Sequence, residues 1–463
     1  MNLQLRLYCD DSEILEVNMT KLVFSFDTED YINEIGVEGI GDVAEALEEQ
    51  GYKGCFQIVA LLAKALVKWG REDVIERLKA NHEIDYHSYA HSMHPTVNEY
   101  TDIADFDAAL CKFYKREKKG IAIVEEIFDQ KGFAAMVPPG NSSSYVAHYG
   151  YAELGIPMCV ATPPRDCVKN RPMSACNISC LSYDLFLDDF LLTATEEDIR
   201  RALDEISKKE YGVIYHHPQM HIIDCFADLL NFNGENVPED KWVLSNVRSK
   251  EERERFCNNF RLLLSLIKND PRFEVTTFSE IAKTLPKSRK VTLADIPAIN
   301  KQLREAFFPI TSPESLSLCD CMHACRSLLL GQTEHICGNS YGFLCEPYAI
   351  SEPITLSADE IKQSAAELDL SRFLPEFIYI GDKKLGPADW LRGALAVLCG
   401  ANEVTLVPAP WQIDLDQFPD IRDLAYKNTW IHTKTLEDRW LSDRFRLQAW
   451  TFRLPKDSDR MIK

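Results

Sequence analysis

The chain has 463 residues, of which 46% are hydrophobic and 27% are charged. This composition is typical of a globular protein and excludes a wholly disordered or collagen-like chain. The 72 acidic and 51 basic side chains give a net charge of −21, which disfavours nucleic acid and anionic membrane surfaces as partners.

No run of about 18 apolar residues predicts a membrane span. Acidic side chains, including Asp10 and Glu13, stand where a signal peptide would have its apolar centre, and Met19 is an alternative start. The 15 cysteines are scattered and odd in number, which favours reduced thiols over a disulfide framework. We therefore expect a cytoplasmic protein.

In the first part of the chain, short strand-like runs alternate with helical patterns. The predicted strands are Leu22–Phe26, Lys53–Val59, His82–Tyr86, Gly132–Val137, Gly212–Tyr215 and Phe273–Thr276. The predicted helices are Ala60–Trp69, Asp73–Ala80, Asp105–Lys131, Glu197–Lys208, Glu251–Lys268 and Phe278–Lys283. This alternation predicts an α/β domain over residues 20–285, with its chemistry at the carboxyl ends of parallel strands.

A basic linker is predicted over residues 285–291, followed by a second domain at 290–463. Residues 292–331 and 355–400 share a T-L start, a helical pattern and a closing L-x-G or C-G. This pattern predicts a duplicated helical module, with chance similarity as the alternative.

The second domain also contains a cluster of potential metal ligands. Its members are Cys319, Cys321, His323, Cys325, His335, Cys337 and Cys345. The C-x-C-x-x-x-C spacing matches no common zinc module, so buried free thiols are favoured over a metal site.

Histidine placement gives the strongest functional signal. Four of the 11 histidines fall between residues 82 and 94. His87 and His91 are spaced i, i+4, so on a helical turn they would share a face and could bind one metal ion. Two imidazoles need a carboxylate to complete a three-ligand site, and Asp27-Thr28-Glu29-Asp30 follows the first strand. The alternative for that tetrapeptide is a helix N-cap with acidic residues in the first turn.

A third polar segment, Tyr215-His216-His217-Pro218, ends another predicted strand. A histidine in this position could act as a general acid toward a leaving amine or alcohol. The alternative is a structural histidine at a strand terminus.

In chain order, these segments resemble the motifs of the polysaccharide deacetylases, the NodB-like enzymes of carbohydrate esterase family four, and of their allantoinase-like relatives. The matching segments are FSFDTED, KGCFQIV with HEIDYHSYAHSMHP, FAAMVPPGNSS and VIYHHPQM. The resemblance covers about residues 21–285. It implies a distorted barrel of about seven β/α units, followed here by a smaller, largely helical C-terminal domain.

The resemblance also implies a metal site. A divalent ion, most commonly zinc and alternatively cobalt or nickel, would be held by His87, His91 and one carboxylate. That carboxylate would be Glu29 or Asp30, because both positions fit variants of the first motif.

By the same resemblance, the reaction is hydrolysis of an N-acetyl or related amide C–N bond. Asp27 would be the base, and His217 would protonate the leaving amine. The third motif would place Pro139, Gly140 and Asn141 at the substrate, which would be an N-acetylated sugar or glycan, or a small amide.

Three departures from the family pattern keep alternatives open. Val137 stands where the third motif has an arginine that braces the base, and Asp85 stands where glycine is usual. The aspartate that tunes the acid histidine has no clear counterpart, and residues 158–164 stand in its place. One alternative is therefore a catalytically weakened glycan-binding protein on the same barrel, and another is an allantoinase-like hydrolase of small amides.

The C-terminal domain has a faint resemblance of its own. Residues 374–398 resemble a pseudomurein-binding repeat, which implies attachment to a glycan. The sequence does not specify the oligomeric state.

Overall fold

The computed structural model describes residues 19–141, 143–160, 170–413 and 446–456, with only the backbone of Asn141. Its centre is one sheet, whose strands are β1 Thr20–Thr28, β2 Cys55–Ile58, β3 Glu83–Tyr86, β4 Ala135–Met136, β5 Met158–Val160, β6 Met173–Ala175, β7 Ile178–Leu181, β8 Leu185–Phe186, β9 Tyr211–His216 and β10 Phe273–Thr276. The strand order is β6-β7-β5-β4-β3-β2-β1-β9-β8, and β10 also pairs with β1. All pairs are parallel except β6 with β7.

The mixed α/β fold predicted for residues 20–285 is confirmed. Among the described residues, the path of strands ends at β6 on one side and β8 on the other, and these two strands do not pair. The sheet is therefore an open, curled half-barrel, which is consistent with the distorted barrel that was predicted.

Helices accompany the strands of the sheet, and those that pack on the large apolar cluster cover its outer face. The helices are α1 Val37–Gln50, α2 Ala60–Lys68, α3 Glu72–Asn81, α4 Val97–Thr101, α5 Phe106–Ile127, α6 Tyr145–Glu153, α7 Phe190–Thr193, α8 Glu196–Ile206, α9 Ala227–Asn231, α10 Lys250–Lys268 and α11 Phe278–Thr284. In the part of the chain that the structure describes, no helix combines the length and the apolar character that a bilayer crossing requires.

The alternation of side chains along β1 separates two apolar layers. Leu22, Phe24 and Phe26 belong to the large cluster between sheet and helices, whereas Val23 belongs to the smaller cluster inside the curled sheet. Because successive strand residues point to opposite faces, Asp27 lies on the same face as Val23. Phe278 and Ile281 of α11 fill one end of that interior.

The region after residue 285 contains both helices and strands. Its elements in the described residues are β11 Arg289–Thr292, α12 Ile296–Glu305, α13 Leu318–Leu329, β12 Glu334–Cys337, β13 Ile354–Ser357, α14 Ala358–Glu367, β14 Ile378–Ile380, β15 Lys383–Leu385, α15 Pro387–Leu398 and β16 Glu403–Leu406. The strands form three antiparallel pairs, β11–β12, β13–β16 and β14–β15. The region therefore contains both helices and strands, and the prediction of a largely helical domain is not confirmed.

The two segments predicted as a duplication share part of their element order. In each, a first strand pairs with a closing strand and two helices lie between them, but the second segment has the additional strand pair β14–β15 between its helices. In the first turn of α13, the Asp320 carboxylate accepts the backbone N–H of Ser317. In the first turn of α15, the Asp389 carboxylate accepts the backbone N–H of Gly386 in the same way. Shared ancestry of the segments remains a prediction, as do the glycan attachment of residues 374–398 and the domain boundary near 290.

The C-terminal region packs directly on the half-barrel. One hydrophobic cluster contains residues of both parts, and the rings of Tyr149 and Tyr341 stack with centroids 4.6 Å apart. Ser174 of β6 exchanges two backbone hydrogen bonds of 2.9 Å with Arg453. Arg453 also forms a buried ion pair with Asp320 at 2.6 Å.

The cysteines of α13 are free thiols. Cys319, Cys321 and Cys325 are all buried. Within the described ranges, they do not belong to any group of three ligand atoms spaced to hold one metal ion. The burial of these thiols agrees with the prediction of buried free thiols, and metal binding by them is not tested.

Candidate functional site

Polar side chains meet where β1, β3 and β9 end. Asp27 lies within β1, Glu29 follows it directly, His87 follows β3, and His217 follows β9. Alternation along β9 places Tyr215 and His217 on the inner face and turns His216 outward, where its ring stacks on Phe256 with centroids 4.5 Å apart. The segment that contains two adjacent histidines therefore offers only one of them to the site.

Glu29 is the centre of a buried ligand-like cluster. Its Oε2 lies 3.1 Å from His87 Nε2 and 2.9 Å from His91 Nε2. Two ligands of one tetrahedral zinc ion lie about 3.3 Å apart, given metal–ligand bonds of about 2.0 Å. These three side chains therefore have the spacing to hold a single divalent ion.

The other nitrogen of each imidazole is held by an acceptor. His87 Nδ1 donates to the carbonyl oxygen of Val137 at 2.7 Å, and His91 Nδ1 lies 2.5 Å from Asp228 Oδ2. Asp228 also accepts a hydrogen bond from the Ser92 hydroxyl. With both Nδ1 atoms donating, each imidazole in its neutral form presents an Nε2 lone pair toward Glu29, which is the arrangement of metal-ligating histidines.

The loop that carries His87 and His91 is not the helical turn that the spacing predicts. Residues 87–94 are irregular, and Ser88 and His91 have left-handed backbone angles, with φ of 70° and 49°. Such angles are costly for residues other than glycine. The loop is held by the Ser88 hydroxyl oxygen, which accepts the His91 N–H, and by Tyr31, which donates to the Ala90 carbonyl.

Asp30, the alternative ligand, is engaged elsewhere. Its Oδ1 accepts the N–H groups of Ile32 and Asn33 at 2.9 Å, and its Oδ2 accepts the Asn33 amide at 2.8 Å. Burial raises the pKa of Asp30 to about 6. The structure thus brings Glu29, and not Asp30, to the two imidazoles.

Asp27 lies beside this cluster. Its Oδ2 accepts the Tyr215 hydroxyl at 2.9 Å and lies 3.6 Å from His87 Nε2. Its Oδ1 is buried without a hydrogen-bond partner, and burial raises the pKa of Asp27. Tyr215 therefore orients the Asp27 carboxylate. The resemblance assigned this role to an arginine at the position of Val137.

His217 has a carboxylate partner, which corrects the expectation that none is present. Asp188, between β8 and α7, accepts from His217 Nδ1 at 2.7 Å and from the His217 backbone N–H at 2.9 Å. The Tyr215 hydroxyl lies 2.5 Å from His217 Nε2. Burial alone would lower the pKa of His217, but Asp188 and Glu29 outweigh it and raise the pKa to about 9.

The three residues predicted to contact substrate form a turn after β4. Pro139–Asn141 is a 3-10 turn in which Pro139 is buried, Gly140 is exposed, and Gly140 has a φ of 57°. The turn lies at the same end of the sheet as Asp27, but the side chain of Asn141 lies outside the described residues. Their contact with substrate remains a prediction.

Aromatic rings that the sequence analysis did not single out surround His217. Phe186 and Phe226 lie 5.7 Å and 4.7 Å from its ring centre, and Phe186 is 47% exposed. Gln219 donates to Glu29 Oε1 at 3.1 Å. Gln219 follows His217 by two residues, and this proximity is the signal that could have identified it.

No protein-family model and no curated protein matches the sequence. Similar solved structures include a mutant of peptidoglycan deacetylase PdaC from Bacillus subtilis, at 12% identity over 63% of this chain and 98% of that one, with a TM-score of 0.32. A CE4 family pseudoenzyme of Bacillus anthracis, in a mutant with restored enzymatic activity, is 13% identical over 57% and 68%, with a TM-score of 0.34. A 4-alpha-glucanotransferase from Thermococcus litoralis is 10% identical over 62% and 46%, with a TM-score of 0.40. At these identities and scores, the similarities carry no conclusion about activity.

Proposed function

We propose that this protein is a metal-dependent hydrolase of the polysaccharide deacetylase type, which cleaves an N-acetyl or related amide bond on a sugar or glycan. The observation that carries the proposal is the Glu29 cluster, in which two buried imidazoles direct Nε2 at one carboxylate oxygen. Asp27 and His217 flank that cluster as a base and an acid. Two imidazole nitrogens and one carboxylate oxygen suit zinc, and also cobalt or nickel.

Glu29, His87 and His91 would hold the ion. When bound, the ion supplies Lewis acidity to the amide carbonyl and to the attacking water. Asp27 would take the proton of that water at Oδ1, the oxygen that lacks a hydrogen-bond partner. The Tyr215 hydroxyl, bonded to Oδ2, fixes the orientation of the carboxylate during this transfer.

The leaving amine needs a proton, and His217 would donate it from Nε2. Because the pKa of His217 is raised to about 9, its imidazolium form prevails at neutral pH. Asp188 holds Nδ1 and keeps Nε2 directed toward the site. A cytoplasmic location, inferred from the sequence alone, would favour a small or lipid-linked N-acetylated sugar as substrate.

The alternative of a catalytically weakened protein rested on two groups that the sequence did not reveal, an arginine that braces Asp27 and an aspartate partner of His217. Asp188 provides the carboxylate partner of His217, and Tyr215 holds Asp27, so both candidate groups have contacts that orient them. The allantoinase-like alternative differs only in substrate. A panel of N-acetylated oligosaccharides and small cyclic amides separates the two.

The proposal is tested by elemental mass spectrometry of the wild type and a His87→Ala, His91→Ala double variant. We expect the double variant to lose about one divalent ion per chain and all amide hydrolysis. His94→Ala is the matched control, because His94 lies on the same loop but binds Glu99. Equal metal contents in wild type and double variant, after incubation with zinc, cobalt or nickel, would contradict the proposal.

A further inference from the structure

A second group of metal-ligand atoms lies on the outer side of the sheet. Asp42 of α1, His221 of the 3-10 turn Pro218–His221, and Cys257 of α10 bring their ligand atoms within 4.8 Å of one another. Asp42 Oδ2 lies 3.2 Å from His221 Nε2 and 3.9 Å from Cys257 Sγ. None of these side chains belongs to the Glu29 cluster.

His221 also belongs to a chain of contacts that ends at Asp188. His221 Nδ1 lies 3.1 Å from His216 Nε2, and His216 Nδ1 lies 2.6 Å from Asp188 Oδ1. Three contacts thus join the carboxylates of Asp42 and Asp188 through two imidazole rings, and each contact requires one hydrogen. Two neutral imidazoles carry only two.

The position of the missing hydrogen follows from Asp188. Because an ionised carboxylate only accepts, His216 donates from Nδ1 and carries a lone pair on Nε2. The contact between the two rings is a hydrogen bond only if His221 donates to that lone pair from Nδ1. His221 Nε2 then has a lone pair that faces Asp42 Oδ2 at 3.2 Å. Two acceptors at this distance require a cation between them, which is either a third proton or a metal ion.

The surroundings disfavour the third proton. The side chains of His216 and His221 are fully buried, and both rings stack on Phe256. A third proton would place a positive charge on one of these fully buried rings, and burial of a charge among apolar groups is unfavourable.

We propose that Asp42, His221 and Cys257 form a second divalent-metal site, with zinc as the expected ion. One imidazole nitrogen, one thiolate and one carboxylate oxygen suit zinc, and ligands of a tetrahedral ion lie about 3.3 to 3.6 Å apart. The observed separations of 3.2 Å and 3.9 Å from Asp42 Oδ2 are close to these values.

One of the proposed ligands faces a surface cavity. Asp42 lines this cavity of about 320 Å³ together with three further carboxylates and with Arg71 and Arg77. The ion would connect α1, the turn after β9 and α10. It would also fix the tautomer of His216, and through Asp188 the orientation of His217.

Cobalt(II) provides a specific test, because a thiolate ligand gives an intense charge-transfer absorption in the near ultraviolet. The Glu29 cluster contains no cysteine, so this band cannot come from the first site, and its loss in Cys257→Ser assigns it to the second. We expect the reduced wild-type protein, dialysed against cobalt(II), to show the band with about one thiolate-bound ion per chain. The His87→Ala, His91→Ala variant should show it undiminished.

Cys257→Ser should abolish the band, and His221→Gln should weaken cobalt binding at least ten-fold. Cys225→Ser is the matched control, since Cys225 is also a half-buried free cysteine close in sequence to His221. Far-ultraviolet circular dichroism identifies any variant that fails to fold. If either Cys257→Ser or His221→Gln fails to fold, the proposal is judged from the one that folds. A wild-type protein without the band, or a band that survives in folded Cys257→Ser, would overturn the proposal.

Discussion

The Tyr215 hydroxyl donates a hydrogen bond of 2.9 Å to Asp27 Oδ2, and the Tyr215 hydroxyl oxygen also lies 2.5 Å from His217 Nε2. One phenol thus connects the proposed base with the proposed acid. A hydrogen bond to a charged group contributes about 1.5–3 kcal/mol. We therefore expect Tyr215→Phe to lower kcat by about 10- to 100-fold and to change KM little.

The control for this measurement is Tyr183→Phe. The Tyr183 ring stacks on Tyr215 with centroids 3.9 Å apart, so this variant removes a hydroxyl from the same stack. Equal effects of the two substitutions on kcat would contradict a specific role of Tyr215.

Asp188 is expected to set the upper limit of the pH range in which the enzyme is active. The pKa of His217 is about 9 because Asp188 and Glu29 favour the imidazolium against burial. Asp188→Asn should lower that pKa, so less of the acid form is present at pH 8. The descending limb of the pH profile of kcat/KM should move to lower pH.

Asp189→Asn removes the same charge from the next residue, whose side chain is 87% exposed. It should leave the descending limb unchanged. A limb that stays in place in Asp188→Asn would show that His217 is not the group that titrates there.

Glu29 and Asp30 are distinguished by their partners. Glu29→Gln should weaken binding of zinc to the first site by at least about 100-fold, because a charged ligand is lost. Asp30→Asn should leave affinity within about two-fold and reduce stability by about 1–3 kcal/mol, because Asp30 holds three loop N–H donors. Competition with a chelator and urea unfolding measure the two quantities, and the reverse pattern would assign the ligand to Asp30.

Buried histidines predict a loss of stability in mild acid. His148 is buried, and burial lowers its pKa from 6.5 to about 4. The unfolded chain takes up this proton near pH 6.5, whereas the folded chain does so only near pH 4. The free energy of unfolding should therefore decrease as pH falls from about 6.5 to 4, by up to about 3 kcal/mol from this residue.

His94 provides a control of opposite sign. Burial alone would lower its pKa, but hydrogen bonds to Glu99 and to the Phe232 carbonyl raise it. Its stabilising contribution is therefore complete below the unfolded pKa of about 6.5 and is lost as pH rises through the folded value. His148→Gln should flatten the acid decline in urea titrations. His94→Gln should leave the slope between about pH 6.5 and 4 unchanged and should change the pH dependence of stability only above about pH 6.5. An unchanged decline in His148→Gln would exclude His148 as a contributor.

Local patterns were sufficient to predict most of the parallel strands. Lys250–Lys268 and Phe273–Thr276 lie within one residue of the predicted bounds, because strong periodicity and clear turn residues define their ends. The polar segments after β1, β3 and β9 were also identified, since residues that end parallel strands gather at one edge of a sheet.

The partners of those residues could not be predicted in the same way. Asp188 follows β8, a strand of only two residues with no detectable alternation. Asp228 comes from a five-residue helix and reaches His91 across 137 positions of sequence. Tyr215 had been noted within its motif but given no role, although alternation along the strand places it on the same face as His217.

The contact between Ser174 and Arg453 has a consequence for folding during synthesis. β6 is an edge of the sheet, and unpaired edges invite association with other chains. The segment that covers this edge lies 275 residues downstream, as measured from Cys176 to Thr451. At about 5–20 residues per second, a ribosome needs roughly 14–55 s to produce that segment. During that interval the growing half-barrel carries an uncovered edge, which a chaperone or a neighbouring nascent chain can occupy.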